Sequence, residues 1–280
     1  MKRWGLLVVL VLSATILNAQ SAPLLPGMGR HHHPITTKSA EAQKFFDQGL
    51  ALLYGFNHEE AVRSFRRVAE LDPDAAMAYW GIALGLGPNY NLPEVDREVV
   101  KAADEAVHKA RALAGKMSER ERAYIEALAH RYSSDQKANP KKLGAEYADA
   151  MAALVARYPD DLDAATIYAE SLMNLRPWDL WSADGKPAPD TERIVAVLES
   201  VLRRDPEHPG ANHYYIHAIE ASPHPERALP SAERLAQLVP GGPPGSYAQP
   251  HLPAARRIRA GRLNERPRCS GGPQTDPAHR

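Results

Sequence analysis

Four times in this 280-residue chain a run of helix-forming residues stops at a proline: Leu71-Asp72-Pro73, Arg157-Tyr158-Pro159, Arg204-Asp205-Pro206 and Leu238-Val239-Pro240. Proline has no amide hydrogen with which to continue a helical ladder, and its ring turns the preceding residue away from helical angles, so each site reads as a helix stop. Their spacing is informative. Pro206 and Pro240 are 34 residues apart, Pro159 and Pro206 are 47 apart, which is 34 plus an insertion of 13, and Pro73 and Pro159 are 86 apart. From Ser39 to Val239 the apolar residues recur with a helical period, and Val/Ile runs with strand alternation are absent. The pattern predicts an all-α chain of helix pairs. At 44% hydrophobic and 24% charged residues the composition is that of a folded chain, and the single Cys269 excludes an internal disulfide, so packed helices must supply the stability.

A 34-residue period with two helices per unit is that of tetratricopeptide repeats, and the residues resemble that family. In the first unit Phe45, Gly49 and Leu52 lie on one helix, and Ala61, Phe65 and Val68 lead to Pro73 on the next. Tyr79-Trp80-Gly81 with Ala83 and Leu86 opens another unit, Tyr147, Met151 and Leu154 close one before Pro159, and Ile194, Leu198 and Val201 close the next. Ala228, Ala232 and Leu235 repeat the spacing before Pro240, with Pro230 expected to kink that last helix. The strings 31–37, 45–61, 79–91 and 212–229 resemble a group of exported bacterial tetratricopeptide proteins, a likeness that spans roughly residues 28–240. It implies a TPR-like helix-turn-helix solenoid over residues 39–240. In such a solenoid the first helix of each unit lines a concave groove that takes a peptide, a partner protein or a small ligand. The resemblance supplies no reaction. Two insertions break the period: Gly87 to Pro93, and Arg176 to Lys186 with Trp178 and Trp181, which reads as cover for a groove or a ligand contact. Ser118 with Glu121 forms a capping box, and the alternating charges Glu119-Arg120-Glu121-Arg122 read as solvated surface.

The ends differ in kind. Lys2 and Arg3, an apolar run from Trp4 to Leu17, and the small residues around Ala19 make residues 1–19 a signal peptide, cleaved after Ala19. This run of 14 residues falls short of the ~20 that span a bilayer. No Cys follows for a lipid anchor, so the mature chain is expected in the periplasm or outside the cell, with no membrane span. Residues 20–38 read as an extended Pro/Gly/His arm in which His31, His32 and His33 are flexible. For residues 241–280, rich in Pro, Gly and Arg, two readings stand: a disordered basic tail, or a stretch translated out of frame. Reading Gly245 to Pro253 one base later allows a His-rich sequence similar to the one with which the resembling proteins continue. The formal charge of zero hides these pieces. Residues 1–19 carry two Lys/Arg and no acid, residues 241–280 carry seven Arg against Glu265 and Asp276, and residues 20–240 are left at −7. An acidic body gives no reason to expect a nucleic-acid partner.

The chemistry gathers on the helix from Ala211 to Glu220. His213, His217 and Glu220, spaced four and three apart, project from one face, with Tyr215, Ile216 and Ile219 opposite. Two imidazoles one turn apart plus a carboxylate are a ligand set for a divalent metal such as zinc, with a position left for water. They read equally as polar groove residues bonded to one another or to a peptide. The repeat register puts Trp80 and Glu170 on the same inner face. His58 is expected at the turn before Ala61, and His108 and His130 on solvated faces. No glycine-rich phosphate loop, nucleophile elbow or catalytic cysteine pattern occurs. Two functions follow: a scaffold that binds in its groove, with no catalytic residue, or a metal-dependent enzyme, a hydrolase, using His213, His217 and Glu220.

Overall fold

The computed structural model describes residues 22–135 and 137–238. The signal segment, the 241–280 tail and Pro240 lie outside the described residues. Among those described, ten α-helices follow one another: α1 (Ala40–Tyr54), α2 (His58–Leu71), α3 (Ala76–Leu86), α4 (Arg97–Leu113), α5 (Glu119–Ala129), α6 (Pro140–Arg157), α7 (Leu162–Met173), α8 (Thr191–Arg204), α9 (Pro209–Ile219) and α10 (Leu229–Leu238). Local chemistry sets their ends. Ser39, Asn57, Asn139 and Asp161 each accept an amide hydrogen of the first turn, and Ser118 and Glu121 form the expected capping box. Asp72, Tyr158 and Asp205 are the C-caps of α2, α6 and α8, each immediately before its proline. The expected kink at Pro230 is absent. A short 3₁₀ turn, Pro225–Ala228, intervenes, and α10 starts afresh at Leu229. Pro230 therefore sits in a first turn, where a missing N–H costs nothing.

Burial sorts the helices into two layers. All 11 residues of α9 are buried, as are 9 of 11 in α3, 10 of 12 in α7 and 10 of 15 in α1, whereas α2 and α8 each bury 5 of 14. The first group forms an inner layer and the second an amphipathic outer one. Each helix packs on its successor. The inner helices also meet one another: α1 packs on α3 and α9, and α7 on α9. Glycine makes the close approaches. A Cβ on Gly49 would lie 2.7 Å from the Phe65 ring, one on Gly81 2.5 Å from the same ring, and one on Gly210 2.5 Å from Tyr54. Phe65, fully buried between α1 and α3, adds roughly 2–3 kcal/mol by its burial alone. No strand is present among the described residues, only an isolated bridge between Trp181 and Pro187, and no helix is long and apolar enough to cross a membrane.

Residues 22–38 have no regular secondary structure, but they are not the free arm expected of them. Gln48 accepts from Leu25 N and donates to Pro23 O, Asp47 accepts from His33 N, and Asp72 accepts from Thr37 Oγ1 and Lys38 N. Glu121, expected on a solvated face, is buried: its carboxylate accepts from Thr36 N at 2.6 Å and Thr36 Oγ1 at 2.5 Å while also closing the capping box. A single sign-alternating block thus contains one residue that serves the interior. His108 lies exposed beside Asp104, and His130 is exposed, as expected.

Candidate functional site

Helix α9 begins with Pro209 at its first position, and the His208 ring caps Ala211 N at 3.1 Å. One turn further in, His213 and His217 stack along one face. Their Nε2 atoms are 3.2 Å apart, and Nδ1 of His217 is 2.7 Å from Glu220 Oε1. Nδ1 of His213 is bonded to the carbonyl oxygen of Tyr54, the last residue of α1, which is where the inner layer closes. Phe56 stacks on His217 with ring centroids 5.5 Å apart and lies 4.6 Å from His213. Tyr90 and Trp178 each have their ring centroid 5.6 Å from that of His217 and are 4.9 Å from each other. Trp178 is 42% exposed, so it is the outward face of this aromatic box. Trp181 Nε1 donates to Ala218 O at 2.7 Å and ties the loop to α9. Among the described residues three non-glycine residues have left-handed backbone, Phe56 at φ 57°, Trp178 at φ 60° and Asp190 at φ 67°. Two of the three flank His217. Such conformations cost on the order of 1–3 kcal/mol and persist where surroundings over-determine them.

Of the five residues that the repeat register assigned to the inner face, His213, His217 and Glu220 are brought together. Trp80 is buried between Phe46 and Tyr124, with centroids at 6.3 and 5.5 Å. Glu170 is buried and accepts from Asn174 Nδ2. Burial raises its pKa, opposed by the Arg131 guanidinium. Arg131 lies over the Tyr147 ring at 5.0 Å and donates to Pro88 O of the first insertion. His58 stacks on Phe56 and is buried, with the Gly85 backbone as its one polar neighbour. Burial, aided by the charge of Arg131, lowers its pKa to about 4. Burial and the nearby Glu220 push the Tyr90 hydroxyl upward.

A second polar centre was not found from the sequence. Asp163, in the first turn of α7, accepts from His31 Nε2 at 2.9 Å, His33 Nδ1 at 2.7 Å and the Tyr54 hydroxyl, with His208 Nε2 at 3.3 Å. Four donors fill the acceptor sites of one carboxylate. Burial opposes ionisation of Asp163, but His31, His208 and His33 outweigh it and hold the carboxyl well below its usual range. Burial likewise opposes protonation of His31 and His33, and Asp163 outweighs it and raises both. The ligand atoms of His31, Asp163 and His208, and of His33, Asp161 and Asp163, lie within 4.8 Å of one another, a spacing that would suit a metal. The tautomer of His208 argues against the first set: its Nδ1 accepts from Ala211 N, so Nε2 carries the hydrogen and cannot ligate. This centre is a hydrogen-bonded knot that fastens the arm to α1, α7 and α9. One sequence signal existed for it: in an extended segment His31 and His33, two apart, share a side.

The fold and site together define an all-α protein of helices packed in successive pairs, with a histidine pair enclosed by aromatic rings where its first and ninth helices meet. No protein-family model matches the chain, and no curated protein matches it.

Proposed function

We propose that this chain is an exported tetratricopeptide-type repeat scaffold that binds a ligand at the inner face of α9, around His213 and His217 and beneath Tyr90 and Trp178. One observation carries the reading. The two stretches that break the 34-residue period, Gly87 to Pro93 and Arg176 to Lys186, each bring one aromatic ring to His217. Loops held on a rigid repeat are where such architectures gain recognition, and here both converge. The tetratricopeptide assignment is supported by the period, the prolines that follow three C-caps, and the Gly49–Phe65 approach within the first pair. Export is supported by Lys2 and Arg3, the apolar run and the Ala19 junction. Burial of Trp80, Glu170 and His213 favours a small ligand, or one side chain of a partner protein, over a peptide laid along the whole inner face. A three-ligand hydrolase site would need Glu220 to face the point shared by the two Nε2 atoms. Its Oε1 lies on the opposite nitrogen of His217, which favours binding over catalysis.

A thermal-shift screen of pooled small molecules and short peptides tests this. Hits are expected to raise Tm, by an amount equivalent to about 2.7 kcal/mol at a hundredfold excess over Kd, and to be lost in both Trp178→Ala and His217→Gln. Hits indifferent to both substitutions would put binding elsewhere and overturn the reading.

A further inference from the structure

Three buried polar atoms lie at the roots of the two insertions, and among the described residues none has a hydrogen-bond partner: Arg131 Nη1, the Tyr147 hydroxyl and Asn174 Oδ1. They come from three elements, just past α5, within α6 and at the C-cap of α7. Arg131 is 8% exposed and Tyr147 1%, and polar atoms so deeply buried are almost always paired. Their surroundings tie them into one cluster. The guanidinium lies 5.0 Å over the Tyr147 ring and donates from Nη2 to Pro88 O of the first insertion. A Cβ on Gly87, where that insertion starts, would lie 3.4 Å from Arg131 Nη1 and run into the Tyr132 hydroxyl, so glycine is what lets the backbone pass this close. Asn174 donates from Nδ2 to Glu170, and the second insertion begins two residues later.

The charges narrow what fits there. Arg131 and Glu170 act on each other electrostatically, yet among the described residues no ion pair joins them: the guanidinium bonds Pro88 O and the carboxylate bonds Asn174. Opposite charges buried without direct contact compensate each other poorly. Water between them would satisfy hydrogen bonds and leave that charge imbalance in place. A simple anion would answer Arg131 and be repelled by Glu170, and a simple cation would meet the reverse. A molecule with a carboxylate at one end and an ammonium at the other answers both. Its carboxylate accepts from Arg131 Nη1 and the Tyr147 hydroxyl, and its ammonium donates to Asn174 Oδ1 and the Glu170 carboxylate.

We propose that Arg131, Tyr147, Glu170 and Asn174 form a binding site for a free α-amino acid, its carboxylate held on the Arg131 side and its ammonium on the Glu170 side. This goes beyond the binding centre on α9 and does not use the histidine pair: it lies at the roots of the same two insertions whose aromatic rings reach His217. Asn174 is half-buried and Leu175 beside it is 38% exposed, so the site reaches the surface at the end of α7, where the side chain of the amino acid leaves it.

The test is a calorimetric titration of the full chain with each of the common L-amino acids. Every hit is followed by its amide, which lacks the carboxylate, and its deaminated acid, which lacks the ammonium. Binding of one amino acid per chain is expected, with both analogues weaker by roughly 10- to 100-fold. Tyr147→Phe removes only the hydroxyl and keeps the ring beneath Arg131, so it should leave Tm unchanged and weaken the hit by about 10-fold. Glu170→Gln keeps the shape and removes the charge. It should weaken the amino acid and spare the deaminated acid, a difference that loss of packing would not produce. A crystal structure grown with the hit should show it on these four side chains. No binding by any amino acid overturns the proposal, as do affinities indifferent to Tyr147→Phe, equal affinity for the amide, or ordered water alone at the site. A hit that depends on Trp178 and His217 but not on Tyr147 supports the centre on α9 and overturns this site. A hit that depends on Tyr147 and not on His217 supports this site and leaves the centre on α9 to its own screen.

Discussion

Asp163→Asn replaces one acceptor oxygen of the knot by an amide NH₂ that must face a histidine or tyrosine donor. The substitution leaves His31 and His33 buried without the charge that raises their pKa values. Breaking a buried ion pair in this way costs about 3–5 kcal/mol. For a body of this size each kcal/mol moves Tm by about 2–4 °C, so a fall of roughly 6–20 °C is expected. The loss should depend on pH. Asp163 is depressed, so its contribution is present above the ordinary value of 3.8 and is lost as pH falls through the lower folded value. His31 and His33 are raised, so theirs is complete below 6.5 and is lost as pH rises through the folded values. The difference in stability between wild type and variant should therefore peak between about pH 4 and 6.5 and shrink above it. Melting curves from pH 4 to 9 measure this. Trypsin provides a second assay, because Arg30 and Lys38 flank the fastened segment: cleavage there should accelerate in the variant before the helical body unfolds. An unchanged Tm, or a difference that grows above pH 7, would refute the account of the knot.

Two further changes test the packing and the buried His58 imidazole. Gly81→Ala drives a Cβ into the Phe65 ring and should cost about 1–3 kcal/mol in urea denaturation, less any gain in helix propensity. Adding Phe65→Leu should give a double variant less destabilised than the sum of the two single changes. His58→Phe keeps the stack on Phe56 and removes the buried titratable ring. Because the His58 pKa is lowered to about 4, wild type loses stability as pH falls from 6.5 towards 4, by about 3 kcal/mol. The variant should lack that acid limb, and an unchanged acid limb would argue against a buried neutral His58.

Much of this was legible in the chain because it is local. A proline dictates the end of the helix before it, which is why Asp72, Tyr158 and Asp205 fall where the sequence puts them. Ser118 and Glu121 are three apart and cap the same turn. His213, His217 and Glu220 lie on one face because helical geometry admits little else. Pro230 was misread because helical period alone does not reveal where a helix restarts after a 3₁₀ turn. Glu121 was misread because charge alternation describes a face and not what docks on it.

What the sequence determined by itself is the all-α class, the helix ends before Pro73, Pro159 and Pro206, and the side of α9 that carries its histidines. Tertiary structure alone decided that α1 meets α9, placing the Tyr54 carbonyl on His213 across 159 residues, and that His31 and His33 fasten to Asp163 across 132 and 130. The physical reason is accumulation. Each of these contacts joins residues more than 100 positions apart, so it depends on how all the intervening helices pack, which no local period encodes.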